Sequence, residues 1–381
     1  MQHLNSSEQE SFAMKRTITT LAIMMASFAA NASVLPETPV PLKSGTGVVD
    51  NNIVYIGLGS AGTAWYKLDT QAKDKKWIPL AAFPGGARDQ ATSVFIDGDL
   101  YVFGGIGKNS EDLTQVFNDV HKYNPKTNTW VKLISHAPMG MAGHVTFVHN
   151  GKAYVTGGVN QNIFNGYFED LNEAGKDSKA INKINTHYFD KKAEDYFFNK
   201  FLLSFDPSTQ QWSYAGESPW YGTAGAAVVN KGNKTWLING EAKPGLRTDA
   251  VFELNFTGNG IKWNKLSPVS SPDGVAGGFA GMSNDSLIFA GGAGFIGSRE
   301  NYQNGKNYAH EGLKKSYSAD IYLWHNRKWK KSGELSQGRA YGISLPWNNG
   351  LLIIGGETAG GKAVADSVLL SVRDNKVTVQ N

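Results

Sequence analysis

The chain has 381 residues, of which 41% are hydrophobic and 12% aromatic, with a formal net charge of +4 and no cysteine. This composition suits a packed soluble core, and without any long basic run a nucleic-acid partner is excluded. The missing cysteines exclude disulfides, thiol nucleophiles, zinc–thiolate sites and any thioether-linked redox cofactor.

At the N-terminus, Lys15-Arg16 precede the apolar stretch Leu21-Ala22-Ile23-Met24-Met25-Ala26 and the small-residue run Ala30-Asn31-Ala32. A basic segment, a short apolar segment and a small-residue site predict a secretory signal peptide cut between Ala32 and Ser33. The apolar run is too short to span a bilayer, so no membrane association is expected after cleavage. Residues 1–13 read as an upstream extension, leaving residues 33–381 as a single domain.

One unit then recurs: an apolar strand ending in a glycine pair, a second apolar strand, and a tryptophan. It reads Val102-Phe103-Gly104-Gly105 with Trp130, Tyr154-Val155-Thr156-Gly157-Gly158 with Trp212, and Leu237-Ile238-Asn239-Gly240 with Trp263. It continues as Ile288-Phe289-Ala290-Gly291-Gly292 with Trp329 and ends at Leu352-Ile353-Ile354-Gly355-Gly356, which no tryptophan follows. The first copy, Val54-Tyr55-Ile56-Gly57-Leu58-Gly59 with Trp77, spaces its glycines differently. Six copies at this period and composition predict an all-β, six-bladed β-propeller of four-stranded blades. In the third unit the strands are expected over 142–149, 153–158, 200–206 and 211–215, with Asn150-Gly151 as a hairpin turn. The tryptophans are expected to pack between blades. The last fourth strand is open to two solutions, Lys376-Val377-Thr378-Val379 or Val34-Leu35-Pro36.

In such a blade, the loop from strand two to strand three opens on the same face as the link into the next blade. Segments after each glycine pair and before each first strand therefore gather around one mouth. The third unit carries a swollen loop over 159–199, whose text predicts amphipathic helix, and the fifth carries an insertion over 295–315. Loops of this length in compact domains act as lids or caps.

The glycine pair, the third strand ending in Asn124-Pro125 or Asp206-Pro207 and the later tryptophan resemble the kelch repeat across the mature chain. The leader, the segment Gly240-Glu241-Ala242-Lys243-Pro244-Gly245-Leu246-Arg247-Thr248-Asp249 and the stretch Asn165-Gly166-Tyr167-Phe168-Glu169-Asp170-Leu171 resemble the bacterial periplasmic N-acetylneuraminate epimerases. That resemblance implies a periplasmic, cofactor-independent and metal-independent mutarotase. It would interconvert the α and β anomers of free N-acetylneuraminate.

Anomer exchange needs a base for the anomeric hydroxyl and an acid for the ring oxygen, while the substrate carboxylate suits an arginine fork. The resemblance makes Glu241 the proton acceptor, where position alone reads as a solvated loop glutamate. Glu357 occupies the equivalent place after Gly355-Gly356 and competes with it. Arg247 is expected either to clamp the substrate carboxylate or to favour the ionised form of Glu241. Arg88, His144 and Arg339 stand before first strands and are candidates for substrate binding in a central channel, against structural pairing for the arginines and a hydrogen-bonded channel histidine. Asn239 in place of glycine is expected to reshape its turn. Asp249, recurring as Asp119, Asp320 and Asp366, is expected to satisfy backbone groups at the strand-three entrance.

A non-catalytic sugar-binding or protein-interaction propeller is the alternative from another class. A sialidase is disfavoured because Ser271-Pro272-Asp273-Gly274 lacks the tryptophan of its repeat. Oligomeric state is left open, a homodimer being one option.

Overall fold

The second strand of each unit is a near-continuous apolar run, as a strand buried on both faces requires, and the outermost strands are largely polar and exposed. In the computed structural model, which describes residues 34–271 and 273–381, this arrangement occurs six times. The leader expected over residues 1–32 lies outside the described residues. The innermost strands are Thr46–Asp50, Thr92–Ile96, His144–His149, Ala227–Lys231, Phe279–Ser283 and Ile343–Trp347, and each heads a four-stranded antiparallel sheet. Each innermost strand touches the next, and the last touches the first, so the blades close into a ring. No helix among the described residues is long and apolar enough to cross a membrane.

The third blade shows how closely the pattern was legible. Its strands are His144–His149, Lys152–Gly157, Phe201–Asp206 and Gln211–Glu217. Asn150 and Gly151 form a two-residue hairpin with φ of 47° and 73°, the left-handed pair that such a turn requires. The tryptophans do pack between blades. Trp212 meets Phe103 of blade 2 edge-on, 5.9 Å between centroids, and Trp130 lies 5.3 Å from Trp65 of blade 1. Such contacts add roughly 0.5–1.5 kcal/mol each beyond the area they bury, in a chain with no covalent staple.

Lys376–Gln380 is the outer strand of blade 6, which decides how the ring closes. The N-terminal segment instead straps blade 6 to blade 1. The amides of Thr38 and Leu42 donate to the carbonyls of Ala365 and Val364, both at 2.9 Å, and Trp77 Nε1 donates to Pro36 O at 3.0 Å.

Asn239 does not reshape its turn. Its φ of 60° falls among the 56–74° of Gly104, Gly157, Gly291 and Gly355, because asparagine tolerates the left-handed region. A second set of left-handed residues stands before the innermost strands: Ser44, Gln90, Gly143, Gly225, Gly277 and Tyr341, with φ between 54° and 64°. Their backbones are linked blade to blade. Gln90 N–H donates to Ser44 O, Ser44 to Tyr341, Tyr341 to Gly277, Gly277 to Gly225 and Gly225 to Gly143, at 2.7–2.9 Å. This belt fixes the inner rim on which the mouth is built.

The swollen loop of blade 3 is helical as expected. Helix α1 (Gln161–Ala174) is capped by Asn160, whose side chain accepts from Ile163 N–H, and α2 (Ser178–Phe189) by Asp177, which accepts from Lys179 and Ala180. The insertion of blade 5 holds a short helix, α3 (Ser298–Gln303).

Candidate active site

After the glycine turns, the chain rises on the mouth side as small hairpins. In blade 4 the hairpin is Glu241–Lys243 with Leu246–Arg247, and Glu241 sits opposite Arg247 in register. Cross-strand partners lie on the same face, so the two side chains meet. Arg247 Nη1 donates to Glu241 Oε2, and Gly245 N–H donates to Oε1 at 3.2 Å. The backbone of Glu241 is pinned in both directions to Ala224 on the rim.

Arg247 is buried behind this pair. Its Nε donates to Ala293 O at 3.2 Å, its Nη2 reaches the Tyr341 hydroxyl at 3.4 Å, and its guanidinium lies 5.4 Å from the Phe295 ring centre. Burial lowers its pKa, opposed by the Tyr341 hydroxyl, and arginine starts so high that it stays charged. The Glu241 side chain is 21% exposed against 5% for Arg247, so the carboxylate faces the mouth with the cation at its back.

Glu357 occupies the equivalent rim position, pinned to Ala340 as Glu241 is to Ala224. Its surroundings differ. Oε2 accepts from Lys43 Nζ at 2.8 Å, and Oε1 accepts from Lys315 Nζ and the Tyr317 hydroxyl, both at 2.5 Å. Burial alone would raise its pKa, but the hydrogen bonds from Lys315, Lys43 and Tyr317 outweigh it and hold the carboxyl at about 2. A carboxylate so acidic is a weak proton acceptor at neutral pH. Lys315 also stands 4.6 Å from the Tyr341 ring centre, so Tyr341 joins the two carboxylates into one cluster. At Tyr341 the φ is 55°, uncommon for a large residue, and the rim belt holds it there.

The remaining candidates do not join this cluster. Arg88 is almost wholly buried and forms two bonds to Asp119, Nη1 to Oδ1 at 2.5 Å and Nη2 to Oδ2 at 2.9 Å, with Nη1 also on Gly104 O. Arg339 repeats the arrangement with Asp366 at 3.1 and 2.8 Å. Both forks are taken up by carboxylates of their own blades, which leaves neither free for a substrate anion. His144 is buried with Nε2 at 2.7 Å from Thr92 Oγ1, and burial pushes its pKa down to about 3. Its imidazole is neutral, and its Nε2 is engaged by Thr92. The recurring aspartates also differ from expectation. They take cations, Asp249 from Arg299 and Asp320 from Lys331, because four blades place a positive side chain beside the strand-three entrance.

Sequence reasoning missed Tyr341, Lys43, Lys315 and Tyr317. Tyr341 had a visible signal, since it stands where other blades carry glycine or a small polar residue. The other three come from separate segments that only the ring brings together. A cavity of about 920 Å³ opens beside the hairpin, under the blade-3 insertion, and reaches it only at Ala242. Phe197, Phe198, Phe201, Trp220 and Tyr221 are the aromatic part of its lining, and neither Glu241 nor Arg247 lines it.

Residues 35–379 match the family model described as N-acetylneuraminate epimerase. Curated proteins named N-acetylneuraminate epimerase from Escherichia coli K12, Escherichia coli O157:H7 and Shigella flexneri are each 90% identical to the chain over 368 residues, which is 97% of this chain and all of theirs. A solved structure of YjhT superposes with a TM-score of 0.91 at 90% identity, covering 92% of this chain and all of the other. On these matches and on the fold described above, the chain belongs to the N-acetylneuraminate epimerase family.

Proposed function

We propose that the chain interconverts the α and β anomers of free N-acetylneuraminate, with Glu241 as the proton acceptor. The observation that carries this reading is the Glu241–Arg247 pair at the mouth, in a chain 90% identical to curated epimerases. Glu241 takes the proton of the anomeric hydroxyl as the bond from the anomeric carbon to the ring oxygen breaks. The ring oxygen gains a proton, the open-chain ketone turns its other face, and the reverse steps close the ring. No net proton or electron is exchanged.

Arg247 holds the Glu241 carboxylate in place, and Gly245 N–H fixes its second oxygen. The substrate carboxylate calls for a cation, and Lys43 and Lys315 present theirs about one-third exposed, unlike Arg88 and Arg339. Tyr341, bonded to Arg247, supplies a hydroxyl beside the reacting ring. The predicted leader supports a periplasmic setting for this reaction. The test follows anomer signals of freshly released N-acetylneuraminate by NMR. Faster equilibration with the protein than without supports the reading. Saturable binding with unchanged equilibration would replace the epimerase with a sugar-binding propeller.

A further inference from the structure

Two residues along from Glu241, Lys243 is fully buried, with 0% of its surface exposed. Lysine is almost never buried so completely unless its ammonium is fully bonded. Here three backbone carbonyls accept from Nζ: Phe189 O at 2.9 Å, Lys191 O, and Asn307 O at 2.6 Å. The first two belong to the blade-3 insertion and the third to the blade-5 insertion. The rings of Tyr196 and Tyr302, one from each insertion, flank the ammonium at 5.1 and 5.6 Å. Burial pulls the pKa of this ammonium down to about 8, and Asp190 is the charged group that opposes the shift.

The insertions also touch each other around this point. Phe189 stacks on Tyr308 with centroids 5.0 Å apart, and Ala193 N–H donates to the Tyr302 hydroxyl at 2.9 Å. His310 lies against Gly245, where an added Cβ would collide with its ring. The hairpin that carries Glu241 and Arg247 therefore carries, on the same strand, the one ammonium on which both insertions converge.

We propose that Lys243 is a positioning residue that clasps the two insertions together over the Glu241–Arg247 hairpin, forming one cap that holds the sugar acid. Glu241 keeps its backbone anchor to Ala224, and Arg247 its bond to Ala293 O, without it, so the clasp acts on substrate retention and not on the base. The kinetic part of this inference rests on the proposed epimerase activity, whereas the structural part does not.

The experiment uses the whole mature chain with Lys243→Met, which keeps length and apolar volume and leaves three carbonyls without their donor. Hydrogen exchange of segments 189–193 and 302–310 is expected to accelerate at least about tenfold in both, with the blade strands unchanged. For anomer exchange of N-acetylneuraminate, KM is expected to rise about tenfold with kcat changed less than about threefold, the mark of lost ground-state binding. Loss of active protein alone would lower apparent kcat at constant KM, and that outcome overturns the proposal. Acceleration in only one insertion overturns it too. If the methionine variant does not fold, the unaltered chain decides the matter, because the clasp requires both segments to open as one unit with one exchange free energy. If the unaltered chain does not accelerate anomer exchange, the proposed function fails while the exchange measurements still decide the clasp.

Discussion

Replacing Glu241 by glutamine tests the assignment of the base most directly. The change keeps shape and removes the proton acceptor, and loss of a general base costs about 10²- to 10⁴-fold in rate, or roughly 3–5 kcal/mol of barrier. It also replaces the carboxylate facing the Arg247 guanidinium with a neutral amide, which leaves that buried cation without its counter-charge. Breaking a fully buried pair costs about 3–5 kcal/mol, and because Glu241 is one-fifth exposed a loss near 2 kcal/mol is expected. With an unfolding entropy of about 2 cal/mol/K per residue, 2 kcal/mol corresponds to a melting shift of about 3 °C for a mature chain of this size. The variant should therefore be folded and nearly inactive. Glu357→Gln is the matched control: it removes the centre of the Lys43–Lys315–Tyr317 cluster and should destabilise by a similar 2 kcal/mol or so while keeping the rate within about tenfold. Anomer exchange by NMR, with thermal unfolding on the same samples, reads both quantities. Unchanged exchange in Glu241→Gln, or equal loss in Glu357→Gln, would refute the reasoning.

Arg88→Met should cost about 3 kcal/mol in denaturant unfolding, because buried Asp119 keeps only the half-exposed Lys132 at 3.7 Å, while the folded fraction keeps its rate. His144→Gln should leave the pH–rate profile between pH 5 and 8 unaltered, since the imidazole, pushed down to about 3, is neutral across that range; a lost or shifted limb would return it to the chemistry. Stability should fall as pH drops below about 6.5, where the unfolded chain protonates His121, His144 and His310 while the folded chain keeps them neutral down to about 4, 3 and 4. The fall should steepen below about 4.5. Glu357, depressed from 4.5 to about 2, and Asp119, also lowered, contribute fully above their ordinary values and lose that contribution as acid protonates them. Thermal unfolding against pH measures this slope, and Glu357→Gln should flatten it.

The repeat, the strand boundaries of blade 3, the helical insertion and the placing of Glu241 and Arg247 in one loop at the mouth were all legible in the chain, because each depends on near neighbours in sequence. Strand period and glycine turns are local quantities, whereas the pairing of Glu241 opposite Arg247 across a hairpin was not read from the chain. For Arg88, Arg339 and His144, a position before a first strand says where the backbone lies and nothing about which partner claims the side chain. Asp119 and Asp366, 31 and 27 residues downstream, claim the arginines, and Thr92 of another blade claims the histidine. Glu241 and Glu357 are equivalent by sequence position, and what separates them is the company each keeps: one arginine behind the first, two lysines and a tyrosine around the second. Lys43 reaches Glu357 across 314 residues only because the ring closes. The sequence by itself thus determined the repeated blade and the loop that carries Glu241 and Arg247. Ring closure decided which charges meet there, because electrostatic partners are set by distance in space and carry no local pattern.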